Sequence, residues 1–113
     1  MIKKEIQEKI LKKAISLKEF GANDLTWEKE SAKKLINLLM EDEIGILGGS
    51  VYKIDSNKLI PLYDNWYLEP DVKEETKEYY TRSKKKAFEY INNYPVYPDE
   101  KIIFSLVFTE DVD

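Results

Sequence analysis

Asp64, Asn65 and Glu69 are the residues of this 113-residue chain best placed to do acid–base work. They lie in and just after the run Tyr63-Asp64-Asn65-Trp66-Tyr67. Two neighbouring carboxylates are the minimum that glycosidase-type chemistry requires. The rest of the usual machinery is missing from the sequence. There is no histidine to move a proton near neutral pH, and no cysteine to act as nucleophile, disulfide or thiolate ligand. Asp55-Ser56-Asn57 begins like a calcium loop but has neither the glycine at its sixth position nor the glutamate at its twelfth. Lys84-Lys85-Lys86 could touch nucleic acid, but consecutive helical residues point in three directions and the net charge is −4. They read as a solvated helix face. No metal site, cofactor, catalytic residue or nucleic-acid partner is expected. A small enzyme or ligand-binding domain using Asp64, Asn65 and Glu69 stands as the alternative reading, and it requires a concave pocket in which they converge.

The same run reads differently as a contact surface. On a strand, Tyr63, Asn65 and Tyr67 face one way, and Asp64 and Trp66 the other. Tyr and Trp bury large areas while keeping a polar handle, so they anchor interfaces. Trp66 reads as core, and the tyrosines as core or interface. Charge is segregated along the chain. Residues 41–75 hold nine acids against three lysines, whereas residues 1–40 hold nine lysines against six acids. An acidic face attracts a basic partner and repels phosphate. Glu41, Asp42 and Glu43 crowd the end of a predicted helix, where the dipole disfavours acids. They read as solvated residues beyond the helix or as part of a docking surface.

Around these residues the periodicity predicts one α+β domain over residues 1–113, cytoplasmic and without a membrane span. The first helix is expected from Lys3 to Leu17, buried along Ile2, Ile6, Ile10, Ala14 and Leu17. This start reads as an amphipathic helix, not a secretory signal. The second is expected from Trp27 to Met40, capped by Thr26 and buried along Ala32, Leu35, Ile36, Leu38 and Leu39. Strands are expected over Ile44–Ile54 and Leu59–Leu68, joined by Asp55–Lys58 as a hairpin, with Pro61 favouring an edge position for the second. Gly48-Gly49 inside the first strand reads as a bulge against a packed helix, or as a close approach by another backbone or a ligand. Asp71 with Glu74 resembles a capping box for a third helix ending near Asn93. That helix would bury Val72, Tyr79, Ser83, Ala87 and Ile91 along one face, with a Glu78–Arg82 pair outside. A last strand is expected over Lys101–Thr109, then a fraying tail from Glu110 to Asp113. The order is ααββαβ, giving a small antiparallel sheet of about three strands, ordered 2-1-3, with helices packed on it.

Three segments carry a family resemblance: GGSVYK at Gly48–Lys53, LYDNWYLE at Leu62–Glu69 and YYTRSKKKAFEYI at Tyr79–Ile91. Together they resemble Immunity protein 40, a family of small α+β proteins from bacterial polymorphic toxin systems. The likeness runs from Leu25 to Phe108. It departs from the family at Ser50, where an acid is typical, and at Leu62, where a threonine is typical. The resemblance implies a toxin inhibitor that binds a cognate toxin domain, such as a nuclease with a basic substrate-binding surface, and does no chemistry itself. Tyr63, Asp64, Asn65, Tyr67 and Glu69 with Glu41, Asp42 and Glu43 are then the expected partner-binding residues. Gly48, Gly49, Tyr52, Trp66, Ser83 and Ala87 are the expected structural positions of the family motif.

Overall fold

A computed structural model describes residues 2–112. Its elements are α1 (Lys4–Leu11), β1 (Ile15–Ser16), a 3-10 turn (Lys18–Phe20), β2 (Leu25–Glu28), α2 (Lys29–Leu38), β3 (Ile46–Asp55), β4 (Lys58–Tyr67), α3 (Thr76–Asn93), β5 (Lys101–Ser105) and β6 (Val107–Phe108). The sheet has six strands, not about three, in the order β1-β2-β5-β3-β4, with β6 also pairing β3. Every pairing is antiparallel. The ααββαβ order is therefore corrected by two short early strands and a divided last one.

The physical reasons are local. Ile15 and Leu17 continue the apolar spacing of α1, but the helix stops at Leu11, and Ile15-Ser16 pairs with Leu25-Thr26. Thr26 looks like an N-cap because Glu28 and Glu30 follow it. Instead it lies in β2 and donates its hydroxyl to the Ile15 carbonyl (3.0 Å). Trp27 next to it turns into the core, and its indole N–H donates to the Ile10 carbonyl (3.2 Å). The Lys101–Thr109 strand is divided because the Ser105 hydroxyl accepts the Ser50 N–H (2.9 Å), replacing a ladder bond.

One apolar cluster fills the side of the sheet that carries the helices. It joins Ile6 and Ile10 of α1, Ala32, Leu35 and Ile36 of α2 and Ala87 and Ile91 of α3 to Trp27, Val51, Trp66, Ile102 and Phe104. Leu38 is not part of that face and stands 59% exposed, since α2 turns it to solvent. Val72 precedes α3 and is fully exposed, not buried. On the opposite side of the sheet Tyr52, which stands opposite Ile103, donates its hydroxyl to Asp24 (3.0 Å), so the 17–24 segment folds over that part. The tail is held at Val112, whose carbonyl accepts from Gln7 Nε2 (2.6 Å). Asp113 lies outside the described residues.

Candidate interaction surface

β3 and β4 form the hairpin that presents the aromatic run. Ser56 and Asn57 both have positive φ, 51° and 62°, the signature of a tight two-residue hairpin turn closed by the pair Asp55–Lys58. Antiparallel pairs alternate between hydrogen-bonded and non-bonded, counting from that closing pair. This makes Tyr52–Pro61 a non-bonded pair, so the proline nitrogen faces away from β3. β4 is an end strand of the sheet, and Pro61 removes a donor from its free edge.

Beyond Pro61 the strand bulges. Ser50 faces Asn65 and Tyr52 faces Pro61, so Leu62, Tyr63 and Asp64 together oppose Val51. Leu62 packs against the core. Tyr63 has φ +61° and is 87% exposed. A non-glycine residue there costs on the order of 1–3 kcal/mol. The Tyr94 hydroxyl donates to Asp64 Oδ2 (2.5 Å), tying the bulge to the end of α3. Burial first, then that bond, push the Tyr94 phenol's pKa up. Trp66 turns towards the helices, 6% exposed, and stacks on Tyr90 at 4.7 Å. Its indole nitrogen is the one buried side-chain polar atom among the described residues that lacks a partner. Asn65 and Tyr67 alternate with it and are exposed.

Of the motif positions, Gly48, Gly49 and Ser83 make close approaches. A Cβ on Gly49 would overlap the Ser105 carbonyl and the Trp66 ring; one on Gly48 would overlap the Trp66 carbonyl. The glycines meet the backbone of neighbouring strands and an indole ring, so the expected close approach by another backbone is present and the packed helix is not. The helix comes close at Gly45, where a Cβ would stand 2.7 Å from Tyr80. Ser83 and Ala87 are fully buried on α3, and the Ser83 hydroxyl accepts the Ile46 N–H (3.0 Å) and donates to the Tyr80 carbonyl (2.9 Å).

β4 ends at α3. Tyr79 donates its hydroxyl to the Leu68 carbonyl (2.6 Å). Arg82 Nη2 donates to the Glu69 carbonyl (3.0 Å), and its Nε and Nη2 clasp Glu74, both at 2.7 Å. The expected Glu78–Arg82 pair is thus replaced by Glu74–Arg82, because Arg82 reaches back over the loop before the helix. That clasp holds the Glu74 carboxyl down at about 2, well below its ordinary value. Glu74 Oε1 also accepts the Asp71 N–H (3.1 Å), but this closes a turn ahead of α3, whose N-cap is Glu75.

On the other flank of α3 lies the acidic corner. α2 stops at Leu38, and Lys84, 1% exposed, donates to the carbonyls of Leu39 (2.7 Å), Met40 (3.1 Å) and Asp42 (2.7 Å). Lys84 is therefore no solvated helix residue: it ties down the turn that follows a neighbouring helix, where the Leu39 carbonyl also accepts the Asp42 N–H (2.9 Å). Burial pushes its pKa down, opposed by Asp42 and then Glu41. Of the three acids, Asp42 pairs with Lys9 (3.0 Å), Glu43 pairs with Lys77 (3.6 Å), and Glu41 is exposed. Sequence reasoning missed this lysine. Its one signal is its spacing from Tyr80, Ala87 and Ile91, which puts it inside the apolar stripe.

The residues of the alternative reading have separate neighbours. Asp64 is engaged by Tyr94, Asn65 stands opposite Ser50, and the Glu69 carbonyl is held by Arg82. A cleft of about 620 Å3 lies elsewhere, between Ile2 and Gln7 of the N-terminal segment and Phe108–Val112 of the tail. Among the described residues no group of three or more carboxylates is arranged to hold a metal ion, and no helix is long and apolar enough to cross a membrane.

A family model described as Immunity protein 40 matches residues 16–108, which takes in all six strands but the first residue of β1, together with α2 and α3. No curated protein and no solved structure matches the chain.

Proposed function

The chain belongs to the Immunity protein 40 family, and on that premise we propose that it binds the cognate toxin of a bacterial polymorphic toxin system and neutralises it by covering it, one for one, in the cytoplasm. The family supplies the role and implies a toxin as the partner. The observation that carries the surface is the β4 edge. It presents Tyr63 and Tyr67, 87% and 63% exposed, beside Asp64, Asn65 and Glu69. Exposed tyrosines amid carboxylates suit a basic protein surface, because the rings give contact area and the acids give steering. A nuclease toxin, whose substrate-binding surface is basic, fits that chemistry. Glu41, Asp42 and Glu43 extend the acidic field on the other flank of α3. Glu43 holds Lys77 in an exposed pair of little intrinsic strength, which a partner's cations can displace, while Asp42 holds Lys9 in a part-buried one.

A toxin domain is expected to be encoded beside this chain's gene, and the test is co-expression with it. Growth restored by this chain supports the reading; equal killing with and without it contradicts the reading for that toxin.

A further inference from the structure

Resting on that reading, we infer that the β4 bulge is a mount for Tyr63, and that the ring it holds outward enters a basic-rimmed pocket on the toxin. Three observations carry this. First, the fold has no use for a tyrosine here. The ring is 87% exposed and forms no side-chain hydrogen bond or ring pair with any described residue. Second, the backbone argues against it. At φ +61° glycine or asparagine is the comfortable residue, and a bulky ring there is an outlier. Third, the bulge is braced on both sides of Tyr63. Leu62 is packed on the core and Asp64 is held by the Tyr94 hydroxyl, so the ring is presented from a fixed backbone. A preorganised anchor loses less conformational entropy on binding.

The edge itself favours side-chain docking over strand addition. Pro61 withholds a donor and the bulge breaks the row of free backbone groups, which is how exposed edges avoid pairing with another chain. The partner's chemistry follows from charge. Along the sequence on either side of Tyr63, residues 55–75 carry six acids against two lysines, and Asp64 is the ring's immediate neighbour in the chain. A partner presenting Arg or Lys to the ring face gains a cation–π contact together with the acids' attraction.

The test is Tyr63→Gly, which removes the ring and suits the backbone, measured with the toxin domain encoded beside the gene. The expected result is a melting temperature equal to or above that of the unchanged chain, with affinity lower by about 30-fold or more, the size of a hot-spot loss. Tyr63→Phe, which keeps the ring, is expected to restore most of the affinity. Unchanged affinity in Tyr63→Gly overturns the inference while leaving the proposed function intact. A fall in melting temperature that accompanies the loss also overturns it, by making the ring part of the fold. If the unchanged chain sediments as a dimer and Tyr63→Gly as a monomer, the occupant is a second copy and the inference fails. No binding by the unchanged chain removes the proposed function and this inference together.

Discussion

Lys84 holds a positive charge with almost no exposed surface, and its three donors end on three carbonyls at the close of α2. Removing that group strips the charged donor from the part-buried Met40 and Asp42 carbonyls and leaves the Leu39 carbonyl only the Asp42 N–H. Hydrogen bonds from charged donors contribute about 1.5–3 kcal/mol, and leaving their partners unmet costs a comparable amount. Lys84→Met keeps the bulk of the side chain and is expected to destabilise the fold by about 3 kcal/mol. The measurement is a denaturant midpoint that falls at constant slope. The Glu74–Arg82 clasp makes a prediction in pH. The Glu74 carboxyl titrates at about 2 in the fold against 4.5 ordinarily. Its contribution is fully present above pH 4.5 and is lost as pH falls from there through about 2. Thermal melts across that window should decline less steeply for Glu74→Gln than for the unchanged chain. Parallel declines would show that the clasp does not couple to folding.

At the scale of elements, the β3–β4 hairpin and its contact with β5 decide the architecture. Gly49 lies between the Ser105 carbonyl and the Trp66 ring, where a Cβ would overlap both. Overfilling such a site typically costs about 1–3 kcal/mol. Gly49→Ala is expected at the upper end of that range, seen as a lower melting temperature with a shifted indole fluorescence. Pro61→Val restores an N–H to the free edge of β4 and should increase concentration-dependent self-association in sedimentation. These long elements were legible in the sequence. The spacing of β3, β4 and α3 is sustained over many residues, and Pro61 pointed to the edge position that β4 holds. The short ones were not. β1 and β2 span two and four residues, too few to show a period, and both sit beside helices whose spacing they continue. Lys84 was hidden for a different reason: a residue type that is normally solvated was recruited by carbonyls far away in the chain. Tyr63 was visible as a candidate, but its bulge was not, since two extra residues in β4 leave the alternation of Pro61, Asn65 and Tyr67 unchanged.

At the scale of the whole molecule, a sheet covered by helices on one side leaves an end strand carrying tyrosines, and an acidic corner across α3. The net charge of −4 is concentrated in the segments that supply both. Steering by such a field acts on encounter more than on lifetime. Replacing Glu41 and Glu43 by glutamine, while leaving Asp42 to its lysine partner, should slow association with a basic toxin by up to about tenfold at low salt. The dissociation rate should barely move, and the difference should fade as salt is added. An equal effect at all salt concentrations would remove these acids from a steering role. The most direct measurement is a titration of the activity of the proposed cognate toxin with this chain. Occlusion predicts activity falling in a straight line to zero at one equivalent. Full activity at an excess of the chain, or complete loss at a small fraction of an equivalent, would contradict it.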